Sequence, residues 1–97
     1  MLPTCTIVSY DICDPKRWRR VYHICRAYGE HIQYSVFRAD LTPTARAALV
    51  AELATVINHR EDQVLLIDVG PAEGRAREAF LAVGRRYEPP ERYVRVL

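Results

Sequence analysis

The sequence has no apolar run long enough to span a bilayer and no basic leader ahead of an apolar stretch, so a cytoplasmic protein with no membrane partner is expected. It lacks a CxxC pair. Its cysteines, Cys5, Cys13 and Cys25, are odd in number and irregularly spaced. That argues against a disulfide framework and a zinc site, and reads as small buried thiols. It lacks a glycine-rich phosphate loop, which counts against a metabolite-binding regulator. His23, His31 and His59 are scattered, and no Ser-His-Asp or Cys-His arrangement is evident. Internal repeats and low-complexity segments are absent. Charge of one sign is scarce overall, at a net +2. Lysine is nearly missing, with Lys16 the single example, so the positive charge is almost all arginine.

Arginine suits bidentate phosphate contacts better than lysine does. Its distribution is uneven. Lys16, Arg17, Arg19, Arg20 and Arg26 crowd one segment, with His23 among them. The 97 residues fit one domain, 1–97. A domain this small buries a modest share of its surface, which makes a partner chain useful.

Thr4–Asp11 is β-branched and aromatic, a strand by composition and alternation. Asp14 then offers an N-cap and Pro15 a first helical position. Trp18, Val21, Tyr22, Cys25 and Tyr28 follow at helical spacing and predict one buried face over residues 15–28, with Gly29 as a left-handed stop. Residues 31–41 are strand-like, as one bent strand or two short ones. Thr42-Pro43 opens a second helix whose stripe is Ala45, Leu49, Leu53, Val56 and Ile57. Residues 58–62 form a polar loop. Residues 63–69 form a nearly continuous apolar run, which suggests a strand covered on both faces. Residues 71–74 read as a turn, and residues 75–83 as a helix or an edge strand. Pro89-Pro90 breaks the chain before a terminal strand at 93–97. The order is that of an α+β, ferredoxin-like βαββαβ sandwich with an additional C-terminal strand.

Asp11 ends the first strand just before a helix N-terminus. A carboxylate there either caps the turn or helix together with Asp14, or offers a hard cation an oxygen ligand. A two-fold axis passing nearby would bring a second copy. Asp68 lies on a strand antiparallel to the first, at the opposite edge from Asp11, and is read as structural. The basic segment falls on the solvent face of the first helix. It is either a solvated face or a phosphate-backbone contact that does not read sequence. His31 is the one histidine considered for a phosphate contact, and Phe37 is more readily core than a base-stacking platform.

Tyr10-Asp11-Ile12, Asp14, Arg20-Val21, Tyr28-Gly29 and Gln33-Tyr34-Ser35-Val36-Phe37 closely resemble the small CRISPR-associated family of spacer acquisition, the CRISPR-associated endoribonucleases. The resemblance implies a ferredoxin-like homodimer with Mg2+ held near the dimer axis by Asp11 of each chain, as catalytic and metal-binding residue. It implies metal-dependent cleavage of RNA or DNA, or a scaffold bridging the larger CRISPR integrase subunits and holding the DNA to be inserted. It carries Tyr10, Arg20, Ser35 and Phe37 over as nucleic-acid-binding residues, to which the basic face and the strand add Arg17 and His31. It implies a strand over residues 78–86, and a terminal strand that pairs with the partner's sheet. Trp18 and His31 stand where relatives often have arginine.

Overall fold

A computed structural model describes residues 2–87 of the chain. The elements run β1 (Thr4–Asp11), α1 (Pro15–Tyr28), β2 (Glu30–Gln33), β3 (Val36–Leu41), α2 (Pro43–Val56) and β4 (Gln63–Pro71). The sheet is antiparallel in the order β2-β3-β1-β4, with both helices on one face. This is the expected βαββαβ arrangement, with β1 in the interior of the sheet.

Local chemistry sets both helix starts. The Asp14 carboxylate accepts from the Arg17 backbone N–H at 3.0 Å, and Pro15 takes the first position. The Thr42 hydroxyl accepts from the Ala45 N–H at 3.2 Å, and Pro43 follows. Each cap satisfies a donor that the first turn leaves orphaned.

The end of α1 differs from expectation. Gly29 is extended, with φ −160°, and not left-handed. Glycine is needed there because β3 passes close by. A Cβ on Gly29 would run into the Arg38 carbonyl oxygen and lie 2.8 Å from Ala39 Cβ.

The core lies between helices and sheet. Val21, Cys25 and Tyr28 of α1 meet Val8 and Tyr10 of β1, Phe37, Ala39 and Leu41 of β3, and Ala45, Leu49 and Leu53 of α2. Phe37 is fully buried. Truncating such a ring to alanine costs about 3–5 kcal/mol. The Tyr28 hydroxyl reaches the Glu52 carboxylate and ties α1 to α2. Trp18 does not join this core. It is 40% exposed and stacks on Tyr22, which leans on Phe37 and His31.

Residues 31–41 resolve into a hairpin, β2 and β3 joined at Tyr34-Ser35. The apolar run of β4 is covered on one face only. Val64 and Leu66 pack on the core, while the alternating Leu65 and Ile67 are 49% and 50% exposed. Beyond β4, the Ala72 N–H bonds the Pro3 carbonyl and a short 3-10 turn forms at Arg75–Glu78. Residues 79–87 contain no strand, so the implied strand over 78–86 is not formed. Its one large apolar anchor, Phe80, packs against Cys5, Ala72 and Ala76 under the Arg38 guanidinium instead. The terminal strand at 93–97 lies outside the described residues.

Cys5 and Cys25 are buried, and burial pushes the Cys25 thiol up to about 12. Cys13 departs from expectation, being exposed in the loop after β1, where its thiol donates to the Glu61 carbonyl. Among the described residues no helix is long and apolar enough to cross a membrane.

Candidate metal and nucleic-acid site

One end of the sheet gathers most of the residues that sequence singled out. β1 runs out at Asp11, opposite Gln63 at the start of β4. The Tyr10 N–H donates to the Ser35 carbonyl at 3.1 Å, which brings the β2–β3 turn to the same end. α1 starts there as well, at Asp14.

Asp11 is exposed and, among the described residues, its side chain accepts no hydrogen bond and forms no ion pair. The capping role belongs to Asp14 alone. Asp68 is five residues along β4 from Gln63, paired with Thr6 in the ladder. It accepts from the Thr6 hydroxyl at 3.1 Å and from Arg46 at 3.4 Å. The separation of Asp11 from Asp68 is as expected. Among the described residues, no three His, Cys, Asp or Glu side chains come together as metal ligands.

A latch that sequence reasoning missed fixes the loop after Asp11. Asp62 Oδ1 accepts the Cys13 N–H at 2.9 Å, and Oδ2 accepts the Asn58 N–H at 2.8 Å and Arg17 Nε at 2.7 Å. Arg17 Nη2 adds Glu61 at 3.1 Å. The Arg17 guanidinium holds the Asp62 carboxyl well below the usual carboxylate range, helped by the two backbone donors. Expected at a phosphate, Arg17 is committed to these acids instead. The only hint in the sequence was Glu61-Asp62 at the end of the polar loop.

The other cations of α1 are placed differently. Lys16, Arg19, Arg20 and Arg26 are exposed, and among the described residues none has an ion pair. The helix contains no acid to neutralise them. Lys16 and Arg20 share one side of the helix at a spacing of four.

Tyr10 and Phe37 are core residues, 5% and 0% exposed, with their rings stacked 6.2 Å apart. Buried rings offer no face to a base, so both assignments to nucleic acid give way to a packing role. The Tyr10 hydroxyl has no hydrogen-bond partner among the described residues, and burial raises its pKa to about 12. His31 is exposed and its Nε2 lies 2.5 Å from the Tyr34 carbonyl, as donor. Ser35 is half-buried in the turn.

Comparison with known proteins agrees with this layout. Residues 4–75 match the family described as CRISPR associated protein Cas2. A CRISPR-associated endoribonuclease Cas2 of Rhodospirillum rubrum is 38% identical, covering 94% of this chain and 88% of that protein. The CRISPR-associated endoribonuclease Cas2 of Geobacter sulfurreducens is 36% identical, covering 86% of each. The crystal structure of Streptococcus pyogenes Cas2 at pH 6.5 superposes with a TM-score of 0.71 at 27% identity, over 82% of this chain and 99% of that one. With a family match across residues 4–75, relatives more than a third identical over most of both chains, and the same fold in a solved structure, the chain belongs to the Cas2 family of CRISPR-associated proteins.

Proposed function

We propose that the chain works in the cytoplasm as a homodimer in CRISPR spacer acquisition, holding one Mg2+ between two Asp11 carboxylates and cutting a phosphodiester of RNA or DNA. The observation that carries this reading is Asp11, an exposed carboxylate at the end of an interior strand with no partner of its own among the described residues.

One chain offers one such ligand, so a second chain has to bring the other. Like charges brought together repel, and a divalent cation relieves that repulsion. The donor set fits: magnesium takes hard oxygen ligands, keeps several waters, and is held by one or two carboxylates. When bound, it supplies Lewis-acid polarisation of a phosphate and a more acidic water. The chain's own residues supply position. Asp11 fixes the site, the Arg17–Asp62 latch steadies the loop behind it, and Lys16, Arg19, Arg20 and Arg26 take backbone phosphates.

Two features support the dimer. Leu65 and Ile67 leave an apolar strip on the sheet face away from the helices, and β4 is an edge strand. Burying the strip and pairing the edge would remove both liabilities. A second copy of the chain is the proposed occupant of that edge, and the larger CRISPR integrase subunit is the proposed second partner.

A scaffold that grips DNA without cutting it is the second reading. The exposed cations of α1, which form no ion pair among the described residues, serve it equally well. Cleavage of RNA and DNA with and without magnesium, by the parent and by Asp11→Asn, separates the two. Magnesium-dependent cutting that is lost in the variant supports the enzyme. If neither protein cuts and both assemble with the integrase, the scaffold stands.

A further inference from the structure

We propose that Trp18 is a stacking platform for an unpaired base, so that the basic helix α1 holds single-stranded nucleic acid, or a frayed duplex end, in preference to a closed duplex. The inference rests on the nucleic-acid reading above and adds the form of substrate to it.

Trp18 is unusual for its position. Helical spacing places it towards the sheet, yet it is 40% exposed. The indole is seated, not loose. It stacks on Tyr22 at 5.8 Å and 17°, and Tyr22 is wedged edge-on against His31 at 5.5 Å and Phe37 at 5.4 Å. Phe37 is fully buried, so this ladder of rings is anchored in the core. A ring fixed in this way loses little freedom when something stacks on it.

The surroundings favour a nucleotide over a protein ligand. Trp18 lies between Arg17 and Arg19 in sequence, on a helix that contains no acid of its own and carries four exposed cations, Lys16, Arg19, Arg20 and Arg26, without an ion pair among the described residues. An apolar protein surface would need those cations neutralised or displaced, whereas a phosphodiester strand supplies both a flat base and the opposite charge. Aromatic faces among basic side chains are how proteins hold single strands with little regard to sequence.

A second ring lies at the same end of the sheet. Tyr34, in the β2–β3 turn, is 91% exposed and has φ +34°. A bulky residue in left-handed backbone is uncommon and marks a place to look for function. The carbonyl of Tyr34 is tied to His31, itself part of the ring ladder. A strand leaving Trp18 towards Asp11 therefore has a second aromatic face near its path.

The chain contains one tryptophan, so its emission reports this site alone. The test is titration of the full-length protein with oligothymidylate, oligouridylate and a blunt DNA duplex, reading tryptophan emission together with affinity by anisotropy. The single strands should quench the emission and the blunt duplex should do so far less. Trp18→Leu should weaken single-strand binding roughly tenfold while duplex binding holds. Trp18→Phe keeps a ring on Tyr22 and should recover part of the loss. Single strands that bind without quenching, and equally well in Trp18→Leu, would overturn the inference while leaving the basic helix intact. An emission maximum that shifts with protein concentration in the absence of nucleic acid would overturn it too, by placing Trp18 between chains. If neither single strands nor duplex bind the parent, the nucleic-acid reading itself fails and this inference goes with it.

Discussion

Arg17 and Asp62 meet at 2.7 Å although 45 residues separate them in the chain. The pair closes the loop after β1 onto the loop before β4, and Asp62 completes the latch by accepting the Cys13 N–H, two residues from Asp11. A residue that looks like one more cation on a basic helix is thereby the part that fixes the candidate site.

The latch has a pH signature. Asp62 is depressed in the folded chain, so its contribution is fully present above the unfolded carboxylate value near 4 and is lost as pH falls below it. Asp62→Asn should melt lower than the parent at neutral pH, and the gap should narrow below about pH 4. Thermal melts from neutral to acid pH check this. Equal melting at pH 7, or a gap that widens in acid, would contradict the latch.

Arg17 and Arg20 should therefore part company. Arg17→Ala should lower thermal stability by breaking its links to Glu61 and Asp62. Lys16→Ala with Arg20→Ala should leave stability nearly unchanged and reduce the salt slope of duplex binding by about 2, one unit for each lost phosphate contact. Affinity measured across a salt series, beside melts, tests both halves. A salt slope that does not move in the double variant would show a merely solvated face.

Gly29 gives a steric test. Its backbone is extended, so alanine is not barred by φ, only by β3 beneath it. Gly29→Ala should cost about 2 kcal/mol or more, because the clash is with backbone that has little room to move. Denaturant melts read this directly. A neutral result would mean that α1 and β3 are further apart than described.

Tyr10→Phe removes a buried hydroxyl that has no partner among the described residues. Deleting an orphaned polar group should leave stability unchanged or raise it by about 1 kcal/mol. Nucleic-acid affinity should stay the same, because the ring is core. A loss of binding in this variant would return Tyr10 to the interface.

What the sequence made legible follows the range of the physics. Both helix starts were readable because their caps and prolines act within a few residues, at Asp14-Pro15 and Thr42-Pro43. Gly29 was readable as a stop but not for its reason, since the Arg38 carbonyl that demands a glycine belongs to another strand. The hairpin turn at Tyr34-Ser35 carries no glycine, asparagine or aspartate, so nothing local marked it. Arg17 could not be told from Arg20 by composition, because its acids arrive from across the fold. Trp18 matched the helical period of the core, yet the sheet beneath it ends in the short edge strand β2 and leaves the indole partly uncovered. Asp11 was legible as a candidate, and its separation from Asp68 followed from antiparallel pairing alone.

In the proposed function two Asp11 carboxylates share one divalent cation. Titration of the full-length protein with Mn2+ in place of magnesium, counting free ion by electron paramagnetic resonance, measures it directly. One site for every two chains is expected, competed by magnesium and lost in Asp11→Asn while light scattering still shows a dimer. One site per chain, or binding that survives Asp11→Asn, would contradict it.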